Sequence, residues 1–199
     1  MIDATAEMTP RERWKAVLEG HGADRPPCDY WATAEVTARL RRELHCPDDR
    51  ALWKRLGVDK CIHLAPRHPR AVETDWHLQS LFSIWGIVTR EIGYGSGVYC
   101  EVAIGIDVLN PIQWRCRGMD RATPARDFGR RVVFHGGMDN QQTLPFSSPA
   151  DVRREVEENI ALFSTCKGYV VAPCHNIQAN TPTENIVTLH ETVREGGAQ

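Results

Sequence analysis

The sequence predicts an α/β domain with parallel strands, entered through a helical N-terminal part. Three observations lead there. A short apolar run, a polar tip and an amphipathic helix follow one another three times after Gly105. The first 60 residues instead carry helix starts and stops at close spacing. At 199 residues and 42% apolar content, the chain can bury a sizeable core. Repeated strand–helix units are the signature of parallel pairing, and they place ligands at the C-terminal ends of the strands.

The elements follow in order. "TPRERWKAVLEG" opens with Thr9 as cap, Pro10 in the first turn and Glu12 completing a capping box, with Trp14, Val17 and Leu18 as the inward stripe. Pro26 and Pro27 make "ADRPPCDYW" a loop. "TAEVTARLRREL" and "PDDRALWKRLG" are two further helices, the second stopped at Gly57. A buried strand is expected from Lys60 to Leu64, and a hairpin or ribbon on either side of Gly95 and Gly97. "IGIDVLNPIQ", "RRVVFHGGM" and "GYVVAPCHN" are the three strands. Between them lie a short helix with Thr123 as cap and a long one capped by Ser148 with Asp151 in the box. The last helix is expected to start at a Thr181 cap and to bury Ile186, Leu189, His190 and Val193. The expected division is 1–103 for the helices, first strand and ribbon, and 104–199 for the strand–helix units.

A net charge of −2 gives no broad surface for nucleic acid. No apolar run is long enough to span a membrane, and no secretory segment opens the chain. Seven scattered cysteines without a CxxC pair are neither a disulfide framework nor a closed zinc knuckle. A cytoplasmic protein with free thiols is expected.

If the strands are parallel neighbours, their polar tips converge. The first brings Asp107, Asn110 and Gln113, the second His135, Asp139, Asn140 and Gln141, and the third Cys174, His175, Asn176 and Gln178. Gly136 and Gly137 allow a tight turn or a close backbone approach to a ligand. His135 and His175 can donate, accept or carry charge near neutral pH. Asp139 could bind a cation, orient a histidine, bond a pyrrole-type N–H or cap the following turn. Cys174 is a nucleophile, a soft metal ligand or a buried thiol. His135, Asp139 and His175 are the candidate catalytic residues. Asn110, Gln113, Gly136, Gly137, Gln141 and Asn176 are the candidate substrate-binding ones.

"FHGGMDNQQTLPFSSPADVRREV", followed by "YVVAPCHNIQANTPTENIVTLHETV", resembles the C-terminal end of the uroporphyrinogen decarboxylase superfamily. The opening "MTPRERWKAVLEGHGADRPPCDYW" resembles that family's first helix and loop. "LGVDK" and "WGIVTREIGYGSGVYCEV" resemble its methyltransferase-like members. The resemblance implies a (β/α)8 barrel, which usually needs about 250 residues. A truncated or partial barrel is therefore expected, with the middle strands missing near "CEVAIGIDVLN". The arginine-rich N-terminal substrate motif of the haem-pathway decarboxylase is absent, because "PCDYWATAEV" stands after Pro26, and this argues against four-acetate decarboxylation.

The activity implied first is corrinoid-linked methyl transfer from a small methylated substrate, with a corrinoid protein as partner and with activity weak or lost in so short a chain. Decarboxylation of uroporphyrinogen by a lyase of porphyrin biosynthesis is the alternative, and a non-catalytic ligand- or partner-binding remnant is the third. The zinc-dependent relatives use a His-x-Cys pair that does not occur here. Zinc is not expected from this chain alone, although Cys174 and His175 stand where the late ligand would. A homodimer could cover the exposed edges of an incomplete barrel.

Overall fold

The computed structural model describes residues 7–60, 89–94, 97–102, 107–116 and 120–196. The chain forms two compact units, Met1–Cys61 with Asp107–Gln199, and Ile62–Ile106. The second unit contains the antiparallel ribbon of β1 (Thr89–Tyr94) and β2 (Gly97–Val102), where the glycine-flanked pattern placed it. Of the strand expected from Lys60 to Leu64, all but Lys60 lies outside the described residues.

The first unit begins with three capped helices. In α1 (Pro10–Glu19), Thr9 and Glu12 form the expected capping box. Leu18 is exposed rather than inside. The buried face is Arg13, Ala16 and Val17, and the Arg13 charge is met by Asp24 and Asp59. Thr33 caps α2 (Ala34–Glu43), and Asp48 caps α3 (Asp49–Leu56).

Three strands then pair in parallel in the order β3 (Val108–Ile112), β4 (Val133–Met138) and β5 (Gly168–Pro173). Between them come α4 (Ala122–Phe128), a single turn α5 (Thr143–Phe146) and α6 (Pro149–Phe163), with α7 (Thr183–Gly196) last. Two helix starts differ from expectation. Helix α4 begins one residue before Thr123, and the Asp120 carboxylate accepts the Thr123 N–H at 2.9 Å. Helix α7 begins at Thr183, two residues after Thr181.

The segment read as a proline loop extends the sheet. Cys28 bridges Val171 in parallel, with Asp29 N–H donating to the Val171 carbonyl and Val171 N–H to Pro27, both at 2.9 Å. On the far side, Asp59 N–H donates to the Cys28 carbonyl at 2.8 Å. Among the described residues the sheet is open, with helices packed against it. This is an α/β fold consistent with a partial (β/α) barrel.

The two sheet faces differ. One carries Phe134, Tyr169 and Val171 against α6 and α7, with the Phe163 ring tilted against both Phe134 and Tyr169 at 5.0 and 4.6 Å. The other carries Val133 and Val170 against Val17 of α1. By the period of two, His135 lies on this second face, one step beyond Val133 toward the carboxyl end.

Behind the first face, His190 of α7 is fully buried with Nδ1 3.1 Å from the Cys28 sulfur, and its Nε2 has no described partner. Burial pushes the Cys28 thiol up and His190 down to about 3, so a neutral thiol faces a neutral ring. The unfolded chain takes up a proton on this ring near the ordinary histidine value, about 6.5, whereas the folded chain resists it. Stability is therefore complete above about pH 6.5 and falls by about 1.4 kcal/mol per pH unit below it until the folded value is reached. Urea midpoints should drop between pH 6.5 and 4.5 in the wild type and less in His190→Leu. Equal slopes in the two proteins would assign the acid sensitivity elsewhere.

Candidate functional site

On the α1-side face, a polar line crosses the sheet. His135 is 4% exposed and Asp29 is 0% exposed. His135 Nε2 lies 3.3 Å from Asp29 Oδ2, and Nδ1 lies 3.1 Å from the Asn110 side-chain oxygen. β5 runs between the strand of His135 and the segment of Asp29. Asp29 Oδ2 also accepts the Trp31 indole N–H at 2.7 Å, and Oδ1 accepts the Tyr30 N–H at 2.8 Å, with Lys60 Nζ 3.4 Å away. Burial raises the Asp29 pKa, but the His135 hydrogen bond, the Lys60 charge and the Tyr30 N–H outweigh it and hold the carboxyl below its usual range. Asp29 is therefore ionised at neutral pH, and its charge fixes the proton of His135 on Nε2. The rings of Trp31 and Trp14 lie 5.2 and 6.2 Å from His135, the latter stacked.

Asn110 is the exposed end of this line. Its amide can turn, so that its oxygen accepts from a protonated Nδ1 or its NH2 group donates to a bare one.

A second cluster lies where β3 and β4 end. Asp139 is buried and accepts the N–H groups of Gln141, Gln142 and Thr143 at 2.9, 3.2 and 3.2 Å. Of the roles open to it in the sequence, capping the following turn is the one it plays here. Arg115 donates through Nε to the same carboxylate. Glu155 of α6 accepts from the Asp139 N–H at 2.9 Å and the Trp114 indole at 3.2 Å. The guanidinium carbons of Arg115 and Arg121 each lie 4.5 Å from the Trp114 ring centroid.

Gly136 and Gly137 have φ of 119° and 94° and pack tightly. A Cβ on Gly136 would sit 2.8 Å from Ile112 N, and one on Gly137 would sit 2.6 Å from the Tyr169 hydroxyl. That hydroxyl donates to the Gly136 carbonyl at 2.9 Å. Both glycines are thus fixed by contacts within the domain.

The third tip is placed differently from the second. Cys174 is buried and donates its S–H to the Ile112 carbonyl at 2.8 Å. Burial is the main cause that pushes this thiol up to about 12, so it is a protonated packing group rather than a thiolate. His175 and Asn176 are exposed. The His175 backbone is clasped on both sides by Asn140, at 3.0 and 2.7 Å. Gln113 is half-buried and Gln141 exposed. The structure therefore joins His135 to Asn110, and Asp139 to the Gln141 backbone. No hydrogen bond or ion pair joins His175 to either cluster among the described residues. Among the described residues, no group of three or more His, Cys, Asp or Glu gathers into a metal-binding set. No described helix is long and apolar enough to cross a membrane.

Asp29, Trp31, Lys60 and Arg115 were not singled out by the sequence. The first three adjoin the proline segment and α3, and pairing between the start and end of the chain brings Asp29 to the third tip.

The carboxyl-end cluster lies on strand–helix units that can be compared with known families. Residues 98–196 match the uroporphyrinogen decarboxylase (URO-D) family model. The URO-D match covers just under half of the chain, from within β2 to the end of α7. It includes His135, Asn110 and Arg115, while Asp29 lies before it. No curated protein and no solved structure matches the chain. The match corrects the methyltransferase reading of the sequence. The decarboxylase signature is the one present, and nothing supports corrinoid-linked methyl transfer or its corrinoid partner. The features behind that reading lie in "LGVDK" and the ribbon, of which only the second strand, from residue 98, falls within the matched span.

Two outcomes follow from this packing. Brief alkylation of native protein at pH 8, read by mass spectrometry, should modify exposed Cys116 and spare Cys174. Equal labelling of the two would show an accessible thiolate at Cys174. Gly137→Ala should lower stability by about 2 kcal/mol or more, through left-handed backbone strain and the clash with Tyr169. Unchanged urea unfolding would contradict that packing.

Proposed function

We propose that this chain is a URO-D-type lyase whose site removes carbon dioxide from a carboxymethyl-bearing, polycarboxylate substrate of the porphyrinogen class. The observation that carries the reading is His135, held between ionised Asp29 and movable Asn110 on one face of the parallel strands. The URO-D match across the strand–helix units supports the same chemistry.

The step needs one proton. The bond between the substrate methylene and its carboxylate breaks, carbon dioxide leaves, and the electron pair stays on the methylene carbon. His135 Nδ1–H, on the side of Asn110, supplies the proton that converts this carbon to methyl. The ring regains its proton from solvent. Asp29 holds Nε2–H throughout and stabilises the imidazolium that precedes transfer, while Trp31 and Trp14 keep the ring in place and limit water. Buried electrostatics of this kind act strongly because they need little reorganisation.

Purified chain incubated with uroporphyrinogen should yield products with fewer carboxylates, separable by chromatography after oxidation. Turnover should be slow, because the described sheet is open. His135→Gln should reduce it by about 100-fold or more, the usual range for losing a general acid. Asp29→Asn should also reduce it and should alter its pH profile. Saturable binding with no carboxylate loss at any pH would replace the lyase with a ligand-binding protein.

A further inference from the structure

We infer that Arg115 is a substrate-binding residue that receives a carboxylate end-on through its two terminal amino groups; this rests on the polycarboxylate reading of the same strand ends. Arg115 stands three residues after β3, and its side chain is 39% exposed. Its Nε is held by buried Asp139, whose carboxylate also takes three backbone N–H groups. Its guanidinium lies 4.5 Å from the Trp114 ring, and Trp114 is itself tied to Glu155. The side chain is thus fixed along one edge and one face. No described group accepts from its two terminal amino groups.

The contrast with Arg121 isolates this feature. Arg121 flanks the same indole, but its terminal nitrogens donate to Asn159 at 2.6 Å and Glu158 at 3.1 Å. Arg13 and Arg25 are buried and committed to Asp24 and Asp59. Arg115 alone among these four presents an open fork from a fixed mount. The fork matches the two oxygens of a carboxylate. Much of the ordering cost that a long side chain normally incurs on binding is already met. Asp139 and Glu155 do not compete strongly, because backbone N–H groups and Trp114 occupy their oxygens. A lysine here would keep charge but lose the paired geometry.

The test uses the whole chain and two porphyrins, one with eight carboxylates and one with two, titrated by tryptophan fluorescence. The eight-carboxylate porphyrin should bind at least tenfold more tightly to the wild type. Arg115→Leu should lose about tenfold for that porphyrin, the scale of a lost charged hydrogen-bond pair, and little for the other. Arg115→Lys keeps the ion pair with Asp139 and should recover a small part. In the wild type, the Arg115 Nε–H resonance should shift on titration, which reports the contact without relying on a variant that may unfold. An unshifted resonance, or equal affinity of wild type and Arg115→Leu, would overturn the assignment. Turnover that depends on His135 while affinity ignores Arg115 would reject this inference and leave the lyase reading standing. Carboxylate binding through Arg115 without any His135-dependent turnover would do the reverse.

Discussion

One buried carboxylate, Asp59, organises the N-terminal half of the site. It takes Arg13 from α1, Arg25 at 2.6 Å and the Cys28 N–H at 2.9 Å, while its own N–H and carbonyl hold the Cys28 carbonyl and the Trp14 indole. Five groups from two chain segments meet on one residue that has no solvent exposure. A buried ion network of this kind adds less net stability than its contacts suggest, because all its charges have left water. Removing one member is costly, about 3–5 kcal/mol, because the others stay buried and unpaired. Its structural effect is positional. It seats the Cys28 segment as a strand beside β5, and so brings Asp29 alongside the sheet and Lys60 next to Asp29.

That placement separates two kinds of chemistry at the strand ends. On the inner face, His135 Nε2 lies 3.3 Å from a carboxylate held charged by its neighbours. At the rim, Asp139 and Glu155 are consumed in fixing a turn and an indole. Residues of one type, all buried carboxylates, thus divide into one that polarises a ring and two that build a support. Burial alone does not distinguish them; the identity of their donors does.

Sequence reading recovered what depends on near neighbours. The Thr9–Glu12 and Ser148–Asp151 boxes are three-residue patterns, and both form as read. The three parallel strands and the buried face of α7 followed from periodicity. His135 was legible as a polar residue within a strand end, and the structure gives it two polar partners. What was not legible depends on distant pairing. Two prolines concealed a strand-like segment only a few residues long, and with it Asp29. Cys174 and His175 are adjacent in sequence, yet one is buried against Ile112 and the other exposed. Alternation along an extended chain sends neighbours to opposite sides. The features that pointed to methyl transfer, "LGVDK" and the ribbon, lie largely before the matched residues, which begin within β2.

The parallel bridge between Cys28 and Val171 sets an order of events during synthesis. The earliest sheet segment acquires its β5 partner only after some 140 further residues have been made, and Asp29 and His135 are 106 residues apart. Contacts of such long range form late and slowly, because a large loop must close first. The helices α1 to α3 can form as they leave the ribosome, but the contact between His135 and Asp29 cannot be covered by its sheet until β5 has emerged. A nascent chain stalled before Val170 would carry His135 without the strand that separates it from Asp29. The His135–Asp29 contact is therefore completed late rather than by early folding.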